Sequence, residues 1–289
     1  MAEPSGGPVG SYPFVKGHGT ENDFVLLPDH DGIVHGDLSA ERVRRLCDRR
    51  AGIGGDGVLR VIRSRHVDAT QADQAEWFMD YRNADGGASE MCGNGIRVFA
   101  LHLVREGLVD PAQPIPIGTR DGVKTVTIAG QRITVDLGVP QVLGETSVSL
   151  GDRTWPATHV DMGNPHAVAF LDDSADLASL SAPGRDLDPP QHDAAVYPAG
   201  VNVELVARVG EHHVAMRVHE RGVGETRSCG TGAGAVCVAT AVADGRSAGQ
   251  EATYAVDVPG GRLTLTWTAD DHVLLAGPAE IVARGTTHL

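Results

Sequence analysis

The chain has 289 residues, of which 41% are hydrophobic and 21% charged, and its formal net charge is −14. This length allows one large core or two domains of ordinary size. The negative charge argues against nucleic acid as the main partner, because a phosphate backbone is bound by a basic surface.

The sequence gives no indication of export or of a membrane span. The first ten residues, MAEPSGGPVG, lack the basic and apolar regions of a signal peptide. The longest weakly apolar run, GAGAVCVATAVA, has about a dozen residues, whereas a bilayer span needs roughly 20. We therefore expect a cytoplasmic protein without a membrane partner, whose four cysteines remain thiols. No Cys/His cluster has zinc-ligand spacing, so we expect no metal site.

The N-terminal part of the chain begins with a strand and a helix. NDFVLLP, residues 22–28, is typical of a strand, and a helical stretch follows over residues 39–50 with Ser39 as the expected N-cap. The next segment, AGIGGDGVLRVIRSR, contains the G-x-G-x-x-G spacing of dinucleotide-binding loops. A strand-like run follows the glycines where that motif requires a helix, so we interpret the segment as a glycine-rich turn.

Alternating β-branched residues indicate strands in much of the remaining chain. VKTVTIAGQRITVDLG, residues 123–138, predicts a hairpin around a short Ala-Gly-Gln turn. The same pattern recurs over residues 211–222, 260–277 and 279–285.

Two interruptions in this pattern predict loops or boundaries. Residues 182–200 are rich in Pro and Asp and predict a loop. GVPQVLGETS, within residues 138–150, breaks the alternation and is the expected domain boundary. We therefore expect two domains, residues 1–138 and residues 139–289.

One stretch of sequence occurs twice. MDYRNADGGASEMCGNGIRVFALHLVREG in the first half is similar to MRVHERGVGETRSCGTGAGAVCVATAVADG in the second. Met79 precedes Cys92 by 13 residues, and Met216 precedes Cys229 by the same 13 residues. Three glycine pairs coincide in this alignment, Gly87 with Gly224, Gly93 with Gly230 and Gly95 with Gly232. Each copy predicts a strand, a polar loop, Cys-Gly-x-Gly and a buried helix.

A cysteine at the start of a helix has specific chemistry. The first N–H groups of a helix lack internal partners and carry the positive end of the helix dipole. A thiol there is shifted toward the thiolate, from a pKa of about 8.5 into a range of roughly 3.5–7.5. The adjacent glycines let a ligand carboxylate approach the same N–H groups. We therefore expect Cys92 and Cys229 to be reactive, and Cys47 and Cys237 to be buried structural thiols.

Two reactive thiols are compatible with several activities. They can form a redox disulfide, bind a metal or act as two bases. An enzyme that inverts a carbon bearing a proton removes that proton on one face and supplies another on the opposite face. Two cysteines can do this without pyridoxal or another cofactor, provided that oriented N–H groups stabilise the carbanion.

Six motifs, in the same order, resemble the diaminopimelate epimerase family. They are GHGTENDFVLL, AGIGGDG, RNADGGASEMCGNGIR, MGNPHAV, GVNVELV and ERGVGETRSCGTGAGA. The resemblance implies a cofactor-independent epimerase that interconverts LL- and meso-diaminopimelate, a small-molecule substrate, in the biosynthesis of lysine and peptidoglycan precursors. Relatives are often dimers, so a homodimer is a further expectation.

The resemblance also implies an α/β (α+β) fold of two pseudo-symmetric domains. Each domain would be a curved, mostly antiparallel sheet wrapped around a central helix, with the active site in the cleft between the domains. The last strand, about residues 278–285, would return to the first domain.

The resemblance further implies roles for individual residues. Cys92 and Cys229 would be the acid/base pair, with His166 and Glu220 as their polar partners. The distal amino and carboxylate ends of the substrate would be held by Asn22, Asn83, Asn164, Asn202 and Arg221. The reacting carboxylate would bind backbone N–H groups of Gly93, Asn94, Gly230 and Thr231.

Three local features bear on these roles. Glu220 and Arg221 are adjacent and would point to opposite faces of a strand, so both reach one ligand only if the strand ends or bulges there, which Gly222 permits. Many relatives have Gln at the position of Gly57, so a polar contact in the cleft is lost. Many relatives also have a small residue at the position of Glu21, which here places a carboxylate beside Asn22.

Three other readings compete with this one. Proline and hydroxyproline racemases have a related two-cysteine design, but they usually carry Cys-Gly-His-Gly where this chain has Cys92-Gly93-Asn94-Gly95. A thiol redox protein or peroxide sensor would leave the duplicated anion-binding segments unexplained. A non-catalytic amino-acid-binding module would not need two activated thiols.

Overall fold

The computed structural model describes residues 10–67, 73–182 and 184–289. The chain divides into two compact units. The N-terminal unit runs to Val135 and includes Pro278–Leu289, and the central unit is Asp136–Gly277. Within the described ranges, no helix is long and apolar enough to cross a membrane.

The N-terminal unit contains two helices and one sheet. Its helices are α1 (Ala40–Cys47) and α2 (Gly93–Arg105), and a short 3-10 turn covers Ser64–His66. Its strands are β1 (Tyr12–Gly19), β2 (Asn22–Pro28), β3 (Gly57–Arg63), β4 (Trp77–Asn83), β5 (Ile115–Thr119), β6 (Gly122–Ala129), β7 (Arg132–Asp136) and, from the end of the chain, β18 (Glu280–Thr287). The spatial order is β18-β1-β2-β3-β4-β5-β6-β7, in which only β2/β3 and β4/β5 are parallel.

The central unit repeats this arrangement. Its helices are α3 (Ser174–Ser179) and α4 (Gly230–Ala243). Its strands are β8 (Gln141–Leu150), β9 (Arg153–Asp161), β10 (Pro165–Phe170), β11 (Gln191–His192), β12 (Asn202–Gly210), β13 (His213–Glu220), β14 (Gly224–Thr226), β15 (Ala252–Val258), β16 (Gly261–Trp267) and β17 (Val273–Gly277). The main order is β8-β9-β10-β12-β13-β15-β16-β17, and again only the third and fifth pairings, β10/β12 and β13/β15, are parallel.

The two units differ in the origin of their first strand. In the central unit, β8 directly precedes β9 in the chain, whereas in the N-terminal unit the equivalent position beside β1 is filled by β18. The internal repeat extends to single residue pairs, because the Arg82–Ala88 bridge after β4 has the same offset from its cysteine as the His219–Glu225 pairing of β13 with β14.

Each unit is built around one buried helix. Helix α2 contacts β18, β1, β2, β3, β4 and β5, and α4 contacts β9, β10, β12, β15, β16 and β17. Because each helix contacts six of the eight strands in its sheet order, the sheet curves around it. Nearly every residue of α4 from Gly230 to Ala241 is buried, as expected for a helix that is apolar on all sides. The predicted fold class, a mostly antiparallel sheet around a central helix, is confirmed for each unit.

Several elements follow the sequence prediction closely. The strand over residues 22–28 and the hairpin of β6 and β7 are present, and the Ser39 side chain accepts the Arg42 N–H at 3.3 Å as the N-cap of α1. The loop predicted over residues 182–200 contains only the two-residue strand β11 within its described part. The glycine-rich segment is a turn followed by strand β3.

Residues 138–150, where the alternation of the sequence breaks, lie mostly in a strand. Ten of these residues form β8, whose pairing register with β9 shifts between Val142 and Gly144. Gly144 has a φ of 119°, a backbone conformation that favours glycine. This irregularity leaves Val142 and Leu143 exposed and removes the alternation by which a strand is recognised.

The pairing of β18 with β1 predicts a steric effect at Gly285. Gly285 lies opposite Phe14, and a Cβ at this position would lie 2.8 Å from Phe14 Cε1. We expect Gly285→Ala to lower the free energy of unfolding by about 1–3 kcal/mol through overpacking. Val282→Ala is the control on the same strand, because Val282 is 55% exposed, and it should change stability by less than about 0.5 kcal/mol. Urea denaturation followed by circular dichroism measures both, and equal effects would contradict the expectation.

Candidate active site

Both motif cysteines occupy the N-cap of a buried helix. Cys92 precedes α2 and Cys229 precedes α4, and each has an extended backbone conformation. The sulfur accepts a backbone N–H of the first turn, from Gly95 at 3.4 Å in one unit and from Gly232 at 3.3 Å in the other. A thiol therefore fills the place that a Ser or Asp oxygen usually takes. The predicted position of both cysteines is confirmed.

The other two cysteines lie in cores. Cys47 is buried at the end of α1, and burial raises its pKa to about 11. Cys237 lies inside α4, where burial raises its pKa to about 12. Neither thiol has the helix-start environment of the motif cysteines.

In the N-terminal unit, Asn22 and Asn94 lie beside Cys92. Asn22 Oδ1 is 3.7 Å from Cys92 Sγ and accepts a hydrogen bond from Asn94 Nδ2 at 3.2 Å. Asn22 Nδ2 donates to Asp56 Oδ2 at 2.7 Å. Both ends of the Asn22 amide are thus engaged, and the amide is fixed next to the thiol. Gly93 and the buried Asn94 form the first turn of the helix.

Asp56 was not predicted from the sequence. It belongs to a charged group in which Arg49 bonds to Asp56 at 2.6 Å and to Asp23 at 2.7 Å. Burial would raise the pKa of Asp23, but hydrogen bonds from Arg49 and Lys16 hold it far below its usual range. This network orients the carboxylate that supports Asn22.

A buried arginine also lies near Cys92. Arg97 of α2 is 0% exposed, and its Nη2 donates to Thr20 Oγ1 at 3.2 Å. Its Nε and Nη1 have no hydrogen-bond partner among the described residues. Burial lowers the pKa of Arg97 to about 10, and nearby Cys92 opposes that shift, so the side chain is a cation at neutral pH.

Glu21, where many relatives have a small residue, lies in the turn between β1 and β2. Thr20 and Glu21 have φ values of 49° and 61°, and Glu21 is exposed. Two left-handed residues in a two-residue loop form the turn type that suits a tight hairpin. Glu21 therefore occupies a turn position next to Asn22.

Asn83 and Gly57 lie opposite each other on β4 and β3. The Asn83 N–H donates to Gly87 O at 2.9 Å, and its carbonyl accepts the Gly86 N–H. A Cβ on Gly57 would lie 2.7 Å from Tyr81 Cε2 and 2.6 Å from the carbonyl oxygen of Arg82. The Tyr81 ring thus takes space that a side chain at position 57 would need, which accounts structurally for the glycine.

In the central unit, Cys229 lies among buried acidic groups. Its Sγ is 3.6 Å from Thr231 Oγ1, and Gly230 and Thr231 form the first turn of α4. Glu220, at the end of β13, accepts a hydrogen bond from Thr226 Oγ1, and burial raises the pKa of its carboxyl group.

These surroundings determine the protonation of Cys229. Burial, followed by the charges of Glu220 and Glu204, raises the pKa of Cys229 well above its usual range, while hydrogen bonds from Gly232 and Thr231 oppose the shift. The prediction that a helix start lowers the pKa is therefore wrong for Cys229. Desolvation and two carboxylates outweigh the helix dipole there.

His166 is held between Asn164 and Glu204. Its Nδ1 is 2.7 Å from Glu204 Oε1 and its Nε2 is 3.1 Å from Asn164 Oδ1. His166 and Glu204 are both completely buried. Glu204 was not predicted from the sequence, although an acidic residue within the buried strand NVELV is a signal that could have identified it.

Asn202 and Arg221 meet at the ends of neighbouring strands. Asn202 Oδ1 accepts the Arg221 N–H at 2.9 Å, and Asn202 Nδ2 donates to Pro165 O at 3.2 Å. Strand β13 ends at Glu220, and a turn follows in which the Val223 N–H donates to Glu220 O at 3.2 Å. The strand therefore ends where the sequence required it to end, and Arg221 is exposed.

The candidate residues fall into two sets, each within one unit. The N-terminal unit holds Asn22, Asn83, Cys92, Gly93 and Asn94. The central unit holds Asn164, His166, Asn202, Glu220, Arg221, Cys229, Gly230 and Thr231. Each set combines a thiol with the N–H groups of a helix start, which can bind an anion beside an acid or base.

Solved structures share this fold. A PhzF-family phenazine biosynthesis protein from Bacillus anthracis superposes with a TM-score of 0.70 at 16% identity, covering 97% of this chain and 100% of that one. A hydroxyproline epimerase from Agrobacterium vitis, with bound trans-4-hydroxy-L-proline, gives a TM-score of 0.59 at 15% identity, covering 96% and 92%. At these identities the likeness concerns the fold alone.

Similarity in amino-acid sequence identifies the family of this chain. The family model for diaminopimelate epimerase matches residues 14–143 and 158–282. A diaminopimelate epimerase from Streptomyces coelicolor is 54% identical over 279 residues, which cover 94% of each chain. One from Corynebacterium glutamicum is 45% identical over 282 residues, which cover 96% of this chain and 98% of that one. The chain therefore belongs to the diaminopimelate epimerase family.

Proposed function

We propose that this chain, an epimerase by family, interconverts LL- and meso-diaminopimelate by two-base proton transfer at the α-carbon, without a cofactor. The observation that carries the proposal is the duplicated helix start, with one cysteine sulfur at the N-cap of each buried helix. In cells the reaction would serve the synthesis of lysine and peptidoglycan precursors. We place it in the cytoplasm and propose that the enzyme works as a homodimer.

The reaction requires one thiolate and one thiol. The thiolate removes the α-proton from one face, and the thiol donates its proton to the other face, so the product has the opposite configuration. After one turnover the two sulfurs have exchanged charge states, and the reverse reaction uses them in the opposite order. In this proposal the residues up to 138 supply Cys92 and residues 139–289 supply Cys229.

Backbone N–H groups would stabilise the charge that develops on the reacting carboxylate. The proposed donors are Gly93, Asn94, Gly230 and Thr231, all in first helical turns. Such donors are fixed before the reaction begins, so little reorganisation opposes the transition state. The partial positive charge of each helix start adds to the effect.

The distal end of the substrate needs groups for an ammonium and a carboxylate. Arg221 is exposed, and its backbone is held by Asn202, so its planar guanidinium is suited to a bidentate carboxylate contact. Asn83 and Asn164 are proposed as further amide contacts, with Asn22 as a contact that also positions Cys92. His166 and Glu220 are proposed as the polar partners of the two thiols.

Isotope exchange tests the reaction directly. Incubation with LL-diaminopimelate in deuterated water should give the meso isomer with deuterium at the inverted carbon, as read by chiral chromatography and mass spectrometry. L-proline and trans-4-hydroxy-L-proline are the control substrates and should show no exchange. Exchange with proline but not with diaminopimelate would assign the chain to a racemase activity, and no exchange with any of them would overturn the proposal.

Removal of either sulfur should stop turnover. We expect Cys92→Ala and Cys229→Ala each to lower the epimerisation rate by about 10²–10⁴-fold, the usual contribution of an acid or base. Cys237→Ala is the matched control, because it removes a buried thiol from the same helix as Cys229. Circular dichroism checks that the fold persists. Near-normal turnover in a folded Cys92 or Cys229 variant would contradict the two-base assignment.

Arg221→Lys tests the distal contact. A point charge replaces a bidentate fork, so we expect KM for diaminopimelate to rise about tenfold, equivalent to about 1.4 kcal/mol. The control is Arg262→Lys, which changes an exposed arginine paired with Asp257. Initial-rate kinetics measure both variants, and an unchanged KM for Arg221→Lys would remove Arg221 from the site.

A further inference from the structure

A buried glutamate lies where neither the fold nor the proposed substrate contacts require one. Glu204 occupies the third position of β12 and is 0% exposed. Oε1 is 2.7 Å from His166 Nδ1, and Oε2 has no hydrogen-bond partner among the described residues. A buried carboxylate with one unpartnered oxygen is costly in free energy, so a role other than packing has to account for it.

The N-terminal unit offers an internal comparison. In the parallel pairing of β10 with β12, His166 lies opposite Asn202, and in that of β2 with β3, Phe24 lies opposite Gly57. Two residues further along each second strand are Glu204 and Leu59. The pair Phe24 and Leu59, both 0% exposed, therefore takes the place of His166 and Glu204.

The helix contacts support this equivalence. A Cβ on Gly95, three residues after Cys92, would meet Leu59 Cδ2 and Phe24 Cζ, each at 3.4 Å. A Cβ on Gly232, three residues after Cys229, would meet Glu204 Oε1 at 2.6 Å. One copy of the fold thus packs hydrocarbon side chains here, so a hydrogen-bonded histidine and carboxylate are not needed for the architecture.

The Glu204 carboxylate lies close to the Cys229 thiol. The same hypothetical Cβ on Gly232 would be 2.6 Å from Glu204 Oε1 and 3.2 Å from Cys229 Sγ. The carboxylate and the sulfur therefore share the space that glycine leaves open at the start of α4. A carboxylate charge this close to the Cys229 sulfur, in an environment without water, opposes the formation of a second negative charge on the sulfur.

Other titratable groups around this cluster are His166 of β10, Glu220 of β13 and Tyr197. The Glu220 charge acts in the same direction on Cys229 as that of Glu204. Burial raises the pKa of Tyr197 to about 12, with a further contribution from Glu204, so its phenol stays neutral. His166 is the only basic side chain in direct contact with Glu204 among the hydrogen bonds of the described residues.

Near Cys92, the buried charge has the opposite sign. Arg97 is a fully buried cation, and the residue at its position in the second copy is Gly234. The repeat therefore has a buried cation near one thiol and buried carboxylates near the other. Charge alone favours thiolate at Cys92 and thiol at Cys229.

We propose that Glu204 is a positioning residue that orients His166 through Nδ1 and keeps the Cys229 sulfur protonated between turnovers, which makes Cys229 the initial proton donor. This rests on the two-base function proposed above. A carboxylate at Nδ1 favours the proton on that nitrogen and fixes the ring so that Nε2 lies 3.1 Å from Asn164 Oδ1. In the first turnover Cys92 gains the α-proton and Cys229 loses one, and exchange with solvent then restores the resting state without net proton consumption.

The experiment measures the titration of Cys229 without substrate. Thiolate absorbance in the ultraviolet is recorded against pH for the parent and for Glu204→Gln, each with and without Cys229→Ala, so that the difference isolates Cys229. We expect Glu204→Gln, which keeps the shape but removes the charge, to lower the Cys229 midpoint by about one pH unit or more. An unchanged or higher midpoint would overturn the proposal.

Two further variants separate charge from packing. Glu225→Gln removes a carboxylate that binds Arg217 in the same unit and should leave the Cys229 midpoint unchanged. The double variant His166→Phe with Glu204→Leu copies the Phe24–Leu59 pair, and we expect it to fold but to lose most epimerase activity. Full activity in that folded double variant would contradict a positioning role, and the Gln titration decides the question if the double variant does not fold.

The outcomes distinguish this inference from the proposed function. If the chain shows no exchange with diaminopimelate, the function fails even when the Glu204→Gln titration shifts as expected. If exchange occurs and the Cys229 midpoint does not move, only the role of Glu204 is rejected.

Discussion

The structure around each motif cysteine depends on one constraint, the unsatisfied N–H groups at the start of a buried helix. A helix end inside a core must find acceptors, because water cannot supply them. In both units a cysteine sulfur accepts one of these bonds, from Gly95 in one case and Gly232 in the other. In the proposed function, the sulfur that caps each helix is also the acid or base of the reaction. In the proposed function, other N–H groups of the same first turns bind the reacting carboxylate.

The repeat keeps the backbone and changes the charges. Both units have the same series of parallel and antiparallel pairings around one helix, so the two thiols have the same local geometry. Arg97 and Glu204 have no charged counterpart in the other copy. A duplicated fold thus supplies two equivalent positions, and buried charges make the two sulfurs inequivalent. In the proposed reaction one sulfur must be protonated while the other is ionised, and these buried charges favour one of the two arrangements.

Local signals in the amino-acid sequence predict the structure best. The N-cap at Ser39, the hairpin of β6 and β7 and the helix starts at both motif cysteines follow from short patterns and were found. Strand β8 was missed because the irregularity at Gly144 removes its alternation. Local patterns carry no information about partners that are distant in the chain.

In the candidate site, too, partners that are distant in the chain could not be predicted from local patterns. The motifs identified His166 and Cys229, but not the buried Glu204 that lies near both. The expected low pKa of Cys229 was wrong for this reason, since the helix start is visible in sequence and the carboxylates packed against it are not. Asp56, 34 residues from Asn22, was missed in the same way.

The position of β18 has a consequence for protein synthesis. The central unit has all its strands between residues 136 and 277, so its sheet can be completed while the chain is still being made. The N-terminal unit, although translated first, lacks the strand beside β1 until Glu280–Thr287 leaves the ribosome. Until then β1 is an open edge that can pair with other chains. The first unit to be made is therefore the last to be finished, and a ribosome that stops before residue 280 releases a chain with an unprotected sheet.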